Sequence, residues 1–312
     1  MTNILVTGGA GYIGSILVPK LLEAGFRVTV LDNFLYRQPS LASVVSHNNL
    51  TLEYGDVRDQ SVMLRLLSKS DIVIPLAAIV GAPACKKDPI TASSINKDAT
   101  LWLIDQLSPD QQIIMPTTNS AYGHGDKNNF CDEDSKLNPL SLYAQDKVDV
   151  EKHLMEKNRA TSFRLATVFG ISPRMRLDLL VNNFVYRALT DKFVILFEGH
   201  FKRNYVHIRD VADMFVFSIN NPEKVKNQIF NFGLTEANIS KQELCEIIKN
   251  HLHEFVYQDV PFAKDPDQRN YIVSNKKIES IGMKAKVSLN EGISELIKGL
   301  GMFASNPYTN LY

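Results

Sequence analysis

The chain has 312 residues, enough to bury a large core in one large domain or two lobes. Acidic and basic residues balance at 34 each, which argues against a nucleic-acid or polyanion binder that relies on net charge. No apolar run is long enough to span a bilayer and no signal-peptide layout opens the sequence, so a cytoplasmic protein with no membrane or nucleic-acid partner is expected.

Asn3 to Val6 is a β-branched apolar run, TGGAGYIG follows from Thr7 to Gly14, and an apolar-periodic segment then runs to Ala24. That order predicts a strand, a tight turn and a helix. Gly8, Gly11 and Gly14 have GxxGxxG spacing. One glycine permits a positive φ, one lets the backbone approach phosphates with no Cβ in the way, and one lets the helix pack on its strand. Free N–H groups at the helix start then face an anion, so a dinucleotide pyrophosphate is expected there.

Arg27 to Leu31 predicts a second strand ending on Asp32, eighteen positions beyond Gly14. A carboxylate there accepts from the adenosine ribose hydroxyls and repels a 2′-phosphate, so NAD is expected rather than NADP, with Arg37 as the one opposing charge nearby. Leu50 to Tyr54 is a third strand, leading into Gly55, Asp56 and Val57 and a short helix through Leu67; Asp56 is placed to accept from an adenine amino group. Asp71 to Pro75 is a fourth strand running into Leu76, Ala77 and Ala78, whose small apolar side chains suit a backbone lying against a cofactor. Thr91 to Leu107 reads as one long helix containing Asn96, and Gln111 to Met115 as a fifth strand ending in PTTNSAYG. The polar stretch His124 to Leu142 is expected at the surface, with substrate contacts, before a helix from Tyr143 to about Lys157. Alternating strands and helices predict an α/β protein with a Rossmann-type doubly wound parallel sheet and a ligand crevice beyond the strands' carboxyl ends.

Tyr143 and Lys147 are four apart and share a helix face. A phenol is a poor base at neutral pH, but a neighbouring ammonium and an oxidised nicotinamide favour its phenolate, which can take a proton from a substrate hydroxyl. Thr118, at the end of the fifth strand, supplies a hydroxyl to hold the reacting oxygen. Cys85, Cys131 and Cys245 are far apart without CxxC spacing, and the seven histidines form no zinc-like pair, so no metal site is expected.

Beyond this point the predicted elements are short and mixed: a helix over Met175 to Leu189, a strand over Phe193 to Phe197, and helices over Arg209 to Ile219, Lys241 to His251 and Leu289 to Leu300. They suit a smaller mixed α/β C-terminal substrate-binding lobe capping the crevice. The expected division is 1–165 and 166–312, with the chain free to cross between lobes. Arg174, Arg176, Arg203 and Arg269 on that cap would suit an anionic substrate, although for Arg174 and Arg176 a solvated surface fits equally well.

TGGAGYIG, LDN at Leu31 to Asn33, GDVRD at Gly55 to Asp59, LAA at Leu76 to Ala78, TTNSAYG, YAQDK, RLATVFG at Arg164 to Gly170, RNYVHIRDVA at Arg203 to Ala212 and the pattern around Arg269 together resemble the extended short-chain dehydrogenase/reductases of the nucleotide-sugar epimerase and dehydratase family. The likeness spans nearly the whole chain. It implies that Thr118, Tyr143 and Lys147 are catalytic, with Lys147 also bonding the nicotinamide ribose. It adds Tyr12, Ile13, Asn33, Val57 and Asn96 to Gly8, Gly11, Gly14, Asp32, Asp56, Leu76, Ala77, Ala78, Tyr143 and Lys147 in an NAD site. Thr118, Asn119 and Ser120 are implied to face the sugar, and Asn183, Arg203 and Arg269 to hold a diphosphate. His207 reads as a structural histidine at least as readily as a functional one. A tightly held NAD, a nucleotide-diphosphate sugar as substrate, and a homodimer or larger homo-oligomer paired through Thr91–Leu107 and Tyr143–Lys157 complete the expectation.

Dehydratases of that family carry Asp-Glu directly after the catalytic Thr, whereas this chain has Asn119 and Ser120, which disfavours 4,6-dehydration. Oxidation at the sugar C4 remains, ending either in release of the keto sugar or in epimerisation. Thr167 stands where many epimerases carry Asn, and PRMRLDLLVNNF, Pro173 to Phe184, is most similar to dehydrogenases acting on C4 of GDP-heptoses for bacterial capsule sugars. The alternatives are a UDP- or GDP-sugar 4-epimerase and a non-catalytic dinucleotide-binding sensor, the last disfavoured by the intact Thr118, Tyr143 and Lys147.

Overall fold

β-branched and leucine-rich runs build the strands at the centre of the molecule, and the turns between them carry the polar residues. The computed structural model describes residues 1–124, 131–157, 160–260 and 269–302. The six residues 125–130 of the expected substrate-contacting loop lie outside the described residues. In chain order, β1 (Asn3–Thr7), α1 (Gly14–Glu23), β2 (Arg27–Asp32), β3 (Leu50–Tyr54), α2 (Gln60–Leu67) and β4 (Ile72–Pro75) alternate as the periodicity predicts. Next come α3 (Ala82–Lys87), α4 (Pro89–Ser93), α5 (Ala99–Gln106), β5 (Gln112–Thr118), α6 (Leu142–Glu156) and β6 (Ala160–Leu165).

The expected single helix over Thr91 to Leu107 is interrupted. A π-helical turn, Ser94–Asp98, separates α4 from α5. It carries Asn96 inward, where the amide oxygen accepts from the N–H of Ile79 at 2.8 Å and the amide nitrogen donates to the carbonyl of Ile79 at 2.9 Å. Widening the helix by one residue is how a side chain is re-aimed without breaking the rod.

The remaining elements are β7 (Thr167–Phe169), α7 (Leu180–Thr190), β8 (Phe193–Leu196), β9 (Lys202–His207), α8 (Ile208–Asn220), α9 (Pro222–Val225), β10 (Gln228–Phe232), β11 (Asn238–Ser240), α10 (Lys241–His251), β12 (Val256–Asp259), α11 (Lys276–Ser280) and α12 (Leu289–Leu300). Here the sequence expectation is corrected at one point: residues 171–179 are not helical, and α7 starts only at Leu180. The preceding strap buries Arg174 and Arg176, whose guanidinium groups are tied to Tyr36 and Asp178. Those ties fix a conformation that local helical periodicity does not reveal.

The main sheet has seven parallel strands in the order β10-β6-β5-β4-β1-β2-β3. One edge strand, β10, comes from well beyond residue 165 and lies beside β6. The cap contributes two small sheets, β11-β9-β7 and β12-β8. One apolar cluster runs from Ile4 and Val30 in the main sheet through Phe169 and Phe184 to Leu296 and Leu300, and α8 packs on α1. The lobes therefore share one core.

Beneath the carboxyl end of β5 lies a buried ion pair. Glu151 on α6 and Arg164 on β6 are each 3% exposed, joined by Arg164 Nη2 to Glu151 Oε1 at 2.7 Å and Nε to the same oxygen at 3.0 Å. Thr117 and Ser162 hydroxyls donate to Glu151 Oε2, and Arg164 Nη1 donates to the phenol oxygen of Tyr122 at 2.9 Å. Removing one charge leaves the other buried and uncompensated. Glu151→Gln is expected to lower unfolding stability by about 3 kcal/mol, as measured by urea denaturation.

Candidate active site

A crevice of about 1280 Å³ opens at the carboxyl ends of the central strands and is lined by residues of both lobes. Its floor is the glycine turn. Gly8 has φ +69°, and a Cβ there would sit 2.5 Å from the backbone nitrogen of Ala77. Gly14 is equally constrained, since its Cβ would meet the carbonyl oxygen of Gly9 at 2.4 Å. At Gly11 the nearest neighbour of a Cβ is the Gly8 carbonyl oxygen at 3.0 Å, and the residue lines the open crevice. Among the described residues no side chain caps α1, and no acid occupies its first turn. The N–H groups of Ser15, Ile16 and Leu17 donate to the carbonyls of Gly11 and Ile13, so an anion would meet the turn residues Tyr12, Ile13 and Gly14, which line the crevice, and the cradle fits a dinucleotide pyrophosphate.

Asp32 lies at the crevice wall, with Oδ2 accepting from the N–H of Ala10 at 2.9 Å and Oδ1 from that of Phe34 at 2.8 Å. Burial raises the affinity of its carboxyl for a proton, and these N–H groups oppose the rise. Each oxygen keeps lone pairs for ribose hydroxyls. Asn33, Val57, Leu76, Ala77 and Ala78 also line the crevice, as do the backbone positions of Ile13 and Gly14. Asp56 lines it too, but its carboxylate is taken up by Arg58, with Nη2 2.6 Å from Oδ2 and Nε 2.9 Å from Oδ1. That pairing competes with the adenine amino group that sequence reasoning assigned to it.

Two expected site residues sit elsewhere. Asn96 does not line the crevice because its amide is spent on Ile79, so it shapes the crevice wall through that backbone. Asn119 is fully buried in the helical turn after β5 and also lies outside the lining, whereas its neighbour Ser120 lies within it. Tyr12 is present, but its phenol points away to the cap, donating to the carbonyl of Gly170 at 2.8 Å and accepting from Asn182 Nδ2 at 3.1 Å. Sequence reasoning missed Asn182 and chose Asn183, which lines the crevice and donates to the carbonyl of Leu177 at 2.9 Å.

Thr118, Tyr143 and Lys147 meet in the same crevice. Thr118 closes β5, and its hydroxyl donates to Ser120 Oγ at 2.9 Å. Ser141 caps α6 through the N–H of Ala144, which fixes the first turn that carries Tyr143. Lys147 Nζ lies 5.9 Å from the Tyr143 ring centroid. Burial pushes the Tyr143 phenol up to about 12 against the pull of Arg176 and Arg269, and burial pulls the Lys147 ammonium down to about 8. Ligand-free, Tyr143 is thus a neutral phenol at neutral pH. Arg269 Nη1 reaches Ser120 Oγ, and Arg203 Nη1 donates to the carbonyl of Arg269 at 2.8 Å, and both arginines line the crevice.

Arg174 and Arg176 are not solvated surface: they are 2% and 8% exposed and face the crevice. Arg174 stacks on Tyr36 with its guanidinium carbon 3.7 Å from the ring centroid. His207 is outside the crevice and fully buried, with Nδ1 accepting from the N–H of Arg209 at 3.3 Å as the cap of α8. Burial holds its ring neutral, with a pKa of about 3.

A parallel doubly wound sheet, a glycine cradle below an uncapped helix and a Tyr/Lys pair at the crevice define a dinucleotide-binding α/β protein of the oxidoreductase type. Residues 4–233 match the NAD dependent epimerase/dehydratase family, and the chain belongs to that family of nucleotide-sugar enzymes, with NAD as cofactor. It is 29% identical to a putative UDP-glucose 4-epimerase of Methanocaldococcus jannaschii, over 94% of this chain and 97% of that one. It is 26% identical to CDP-paratose 2-epimerase of Salmonella typhi, over 94% and 98%. Among solved structures it superposes on the UDP-glucose 4-epimerase of Thermotoga maritima, crystallised with UDP-glucose, with a TM-score of 0.85, 26% identity, and coverage of 97% of this chain and 100% of that one. Among the described residues no helix is long and apolar enough to cross a membrane.

Asp32→Ala is expected to weaken NAD binding roughly tenfold or more, the scale of lost hydrogen bonds to a charged acceptor, while affecting NADP less. Calorimetric titration with each cofactor measures both, and equal losses would move the ribose away from Asp32.

Proposed function

We propose that the protein oxidises C4 of a nucleotide-diphosphate sugar and releases the 4-keto product, with a GDP-heptose as the first candidate substrate and bacterial surface polysaccharide synthesis as the setting. The observation that carries this reading is the make-up of the crevice around Thr118. Tyr143, Lys147 and Thr118 converge there with Arg203 and Arg269, and Asn119 and Ser120 follow Thr118 where an elimination would need an acid and a base. Among the described residues lining the crevice, the acids are Asp32 and Asp56 on the adenosine side and Asp178, which is bound to Arg176. None is a free acid–base group for removing water.

In this reading Arg203 and Arg269 hold the diphosphate, and Asn183 lines the same wall. Thr118 donates to the C4 oxygen, exchanging its bond to Ser120 for one to the sugar. Tyr143 accepts the O4 proton as phenolate, and Lys147 supports the nicotinamide ribose. Bound in the glycine cradle, NAD supplies the acceptor for the hydrogen and electron pair that leave C4. The cap strap lies directly over that cradle, in keeping with a cofactor retained between turnovers, and the outer faces of α5 and α6 are the proposed surfaces of a homodimer. The enzyme acts in the cytoplasm.

A second reading, 4-epimerisation, is favoured by the likeness to UDP-glucose 4-epimerases, one a relative in sequence and one a solved structure, each matched over almost its whole length. Mass spectrometry and cofactor absorbance after incubation with GDP-heptose, GDP-mannose and UDP-hexoses decide between them. A product lighter by two hydrogens with accumulated NADH means a 4-dehydrogenase. An isomeric product with no net NADH means an epimerase, and NAD binding without turnover of any sugar leaves a dinucleotide-binding module. With the accepted sugar, Tyr143→Phe is expected to retain NAD affinity and lose about 10²–10⁴ in turnover; a near wild-type rate would remove Tyr143 from the chemistry.

A further inference from the structure

Ser120 lies between two groups that serve different ends of the substrate. It sits in the helical turn after β5, is 4% exposed and lines the crevice. Its N–H donates to Thr118 Oγ1 at 3.1 Å, and Thr118 Oγ1 donates in return to Ser120 Oγ at 2.9 Å. Arg269 Nη1 donates to the same Ser120 Oγ. The arginine is brought there by its own segment: the N–H of Asn270 donates to the carbonyl of Gly123 at 3.2 Å, Asn270 Oδ1 accepts from the N–H of Lys202 at 2.9 Å, and Arg203 Nη1 donates to the Arg269 carbonyl at 2.8 Å. A hydroxyl has one proton and two lone pairs, and a guanidinium can only donate. Both lone pairs of Ser120 Oγ are therefore taken, its own proton is turned away from Thr118, and the Thr118 proton is committed to Ser120.

We infer that Ser120 is a positioning residue that ties release of the Thr118 proton to the arrival of a diphosphate at Arg269. The inference rests on the reading that Arg269 holds the diphosphate and that Thr118 donates to the reacting oxygen. A diphosphate competes with Ser120 for Arg269 and wins on charge, since a guanidinium bonds an anionic oxygen about twice as strongly as neutral partners bond one another. Ser120 Oγ then has a lone pair to spare, and its hydroxyl can turn to give its proton to Thr118 Oγ1. That oxygen now accepts from both the N–H and the O–H of Ser120, so its lone pairs are filled and its one proton points out of the turn, toward the sugar. The exchange moves hydrogen bonds only, and each oxygen keeps its own proton. A sugar that brings no diphosphate leaves Arg269 on Ser120, and the Thr118 proton stays where it is.

The test uses NAD-saturated protein with GDP and UDP, which carry the diphosphate but no sugar. In calorimetric titration, Ser120→Ala is expected to bind the diphosphate about three- to tenfold tighter than wild type, because Arg269 no longer has a Ser120 bond to give up. The gain is expected to vanish when Ser120→Ala is combined with Arg269→Ala. A second readout follows Thr118 itself through isotope-labelled threonine methyl resonances, the Thr118 signal being identified by its loss in Thr118→Val. Saturating diphosphate is expected to shift that signal in wild type and in Ser120→Thr, which keeps the hydroxyl, and to leave it in place in Ser120→Ala. Unchanged or weaker affinity in Ser120→Ala, a gain that survives Arg269→Ala, no Thr118 shift in wild type, or a shift that persists in Ser120→Ala overturns the inference. If Arg269→Ala does not fold, the methyl shift decides. Wild type that binds neither diphosphate, or Arg269→Ala that binds them as tightly as wild type, removes the diphosphate reading and the inference together. A clear loss in Arg269→Ala without a gain in Ser120→Ala overturns the inference and leaves that reading standing.

Discussion

Backbone meets backbone at the carboxyl edge of the main sheet, and the site depends on that contact. Gly8 lies against Leu76 and Ala77 with no room for a Cβ, so β1 and β4 bring their ends together beneath a bare helix start. Any side chain at Gly8 would strain a positive φ and push the strand ends apart at once. With that contact made, the glycine turn before α1, the carboxylate of Asp32 and the hydroxyl of Thr118 all open into one crevice, because each ends a strand or begins a helix on the same side. The parallel arrangement does the rest, since every strand delivers its carboxyl end to the same edge.

Charge in this protein balances in sum, and two ion pairs are buried at the site. Glu151 with Arg164 stabilises the turn after β5 from below, and Asp178 with Arg176 lines the crevice. Both pairs have partners for their remaining donors or for their backbone, which is the condition under which desolvated charges are tolerated. The first serves the shape of the site, and the second fixes the strap at the crevice wall. A balanced total charge therefore says nothing about the field inside the crevice, which is set by a few arginines on the cap.

What the sequence revealed follows local physics. The first five strands, the glycine turn and the one-turn spacing of Tyr143 and Lys147 depend on neighbours close in the chain, and period and spacing report those directly. The strap before α7 was read as helix because Met175 to Leu189 has helical periodicity, but Arg174 is held by Tyr36, and only folding brings that partner near. β9 and β10 went unread for the same reason: each is a short run whose strand character comes from its place beside β7 or β6. Tyr12 shows the limit most sharply. Its position in the glycine motif pointed to the cofactor, while its phenol turned to Gly170 and Asn182, partners about half the chain away.

The position of β10 bears on how the chain reaches its native state during synthesis. β6 is an interior strand only after residues 228–232 have arrived beside it; until then its hydrogen-bonding edge is open and flanked by the apolar surface of Phe163 and Leu165. An emerging N-terminal half is therefore a sheet with a sticky margin, exposed for as long as the ribosome needs to supply more than sixty further residues. Such a molecule gains from slow neighbours and from chaperones that shield strand edges, and severing it at the lobe boundary would leave that margin open permanently.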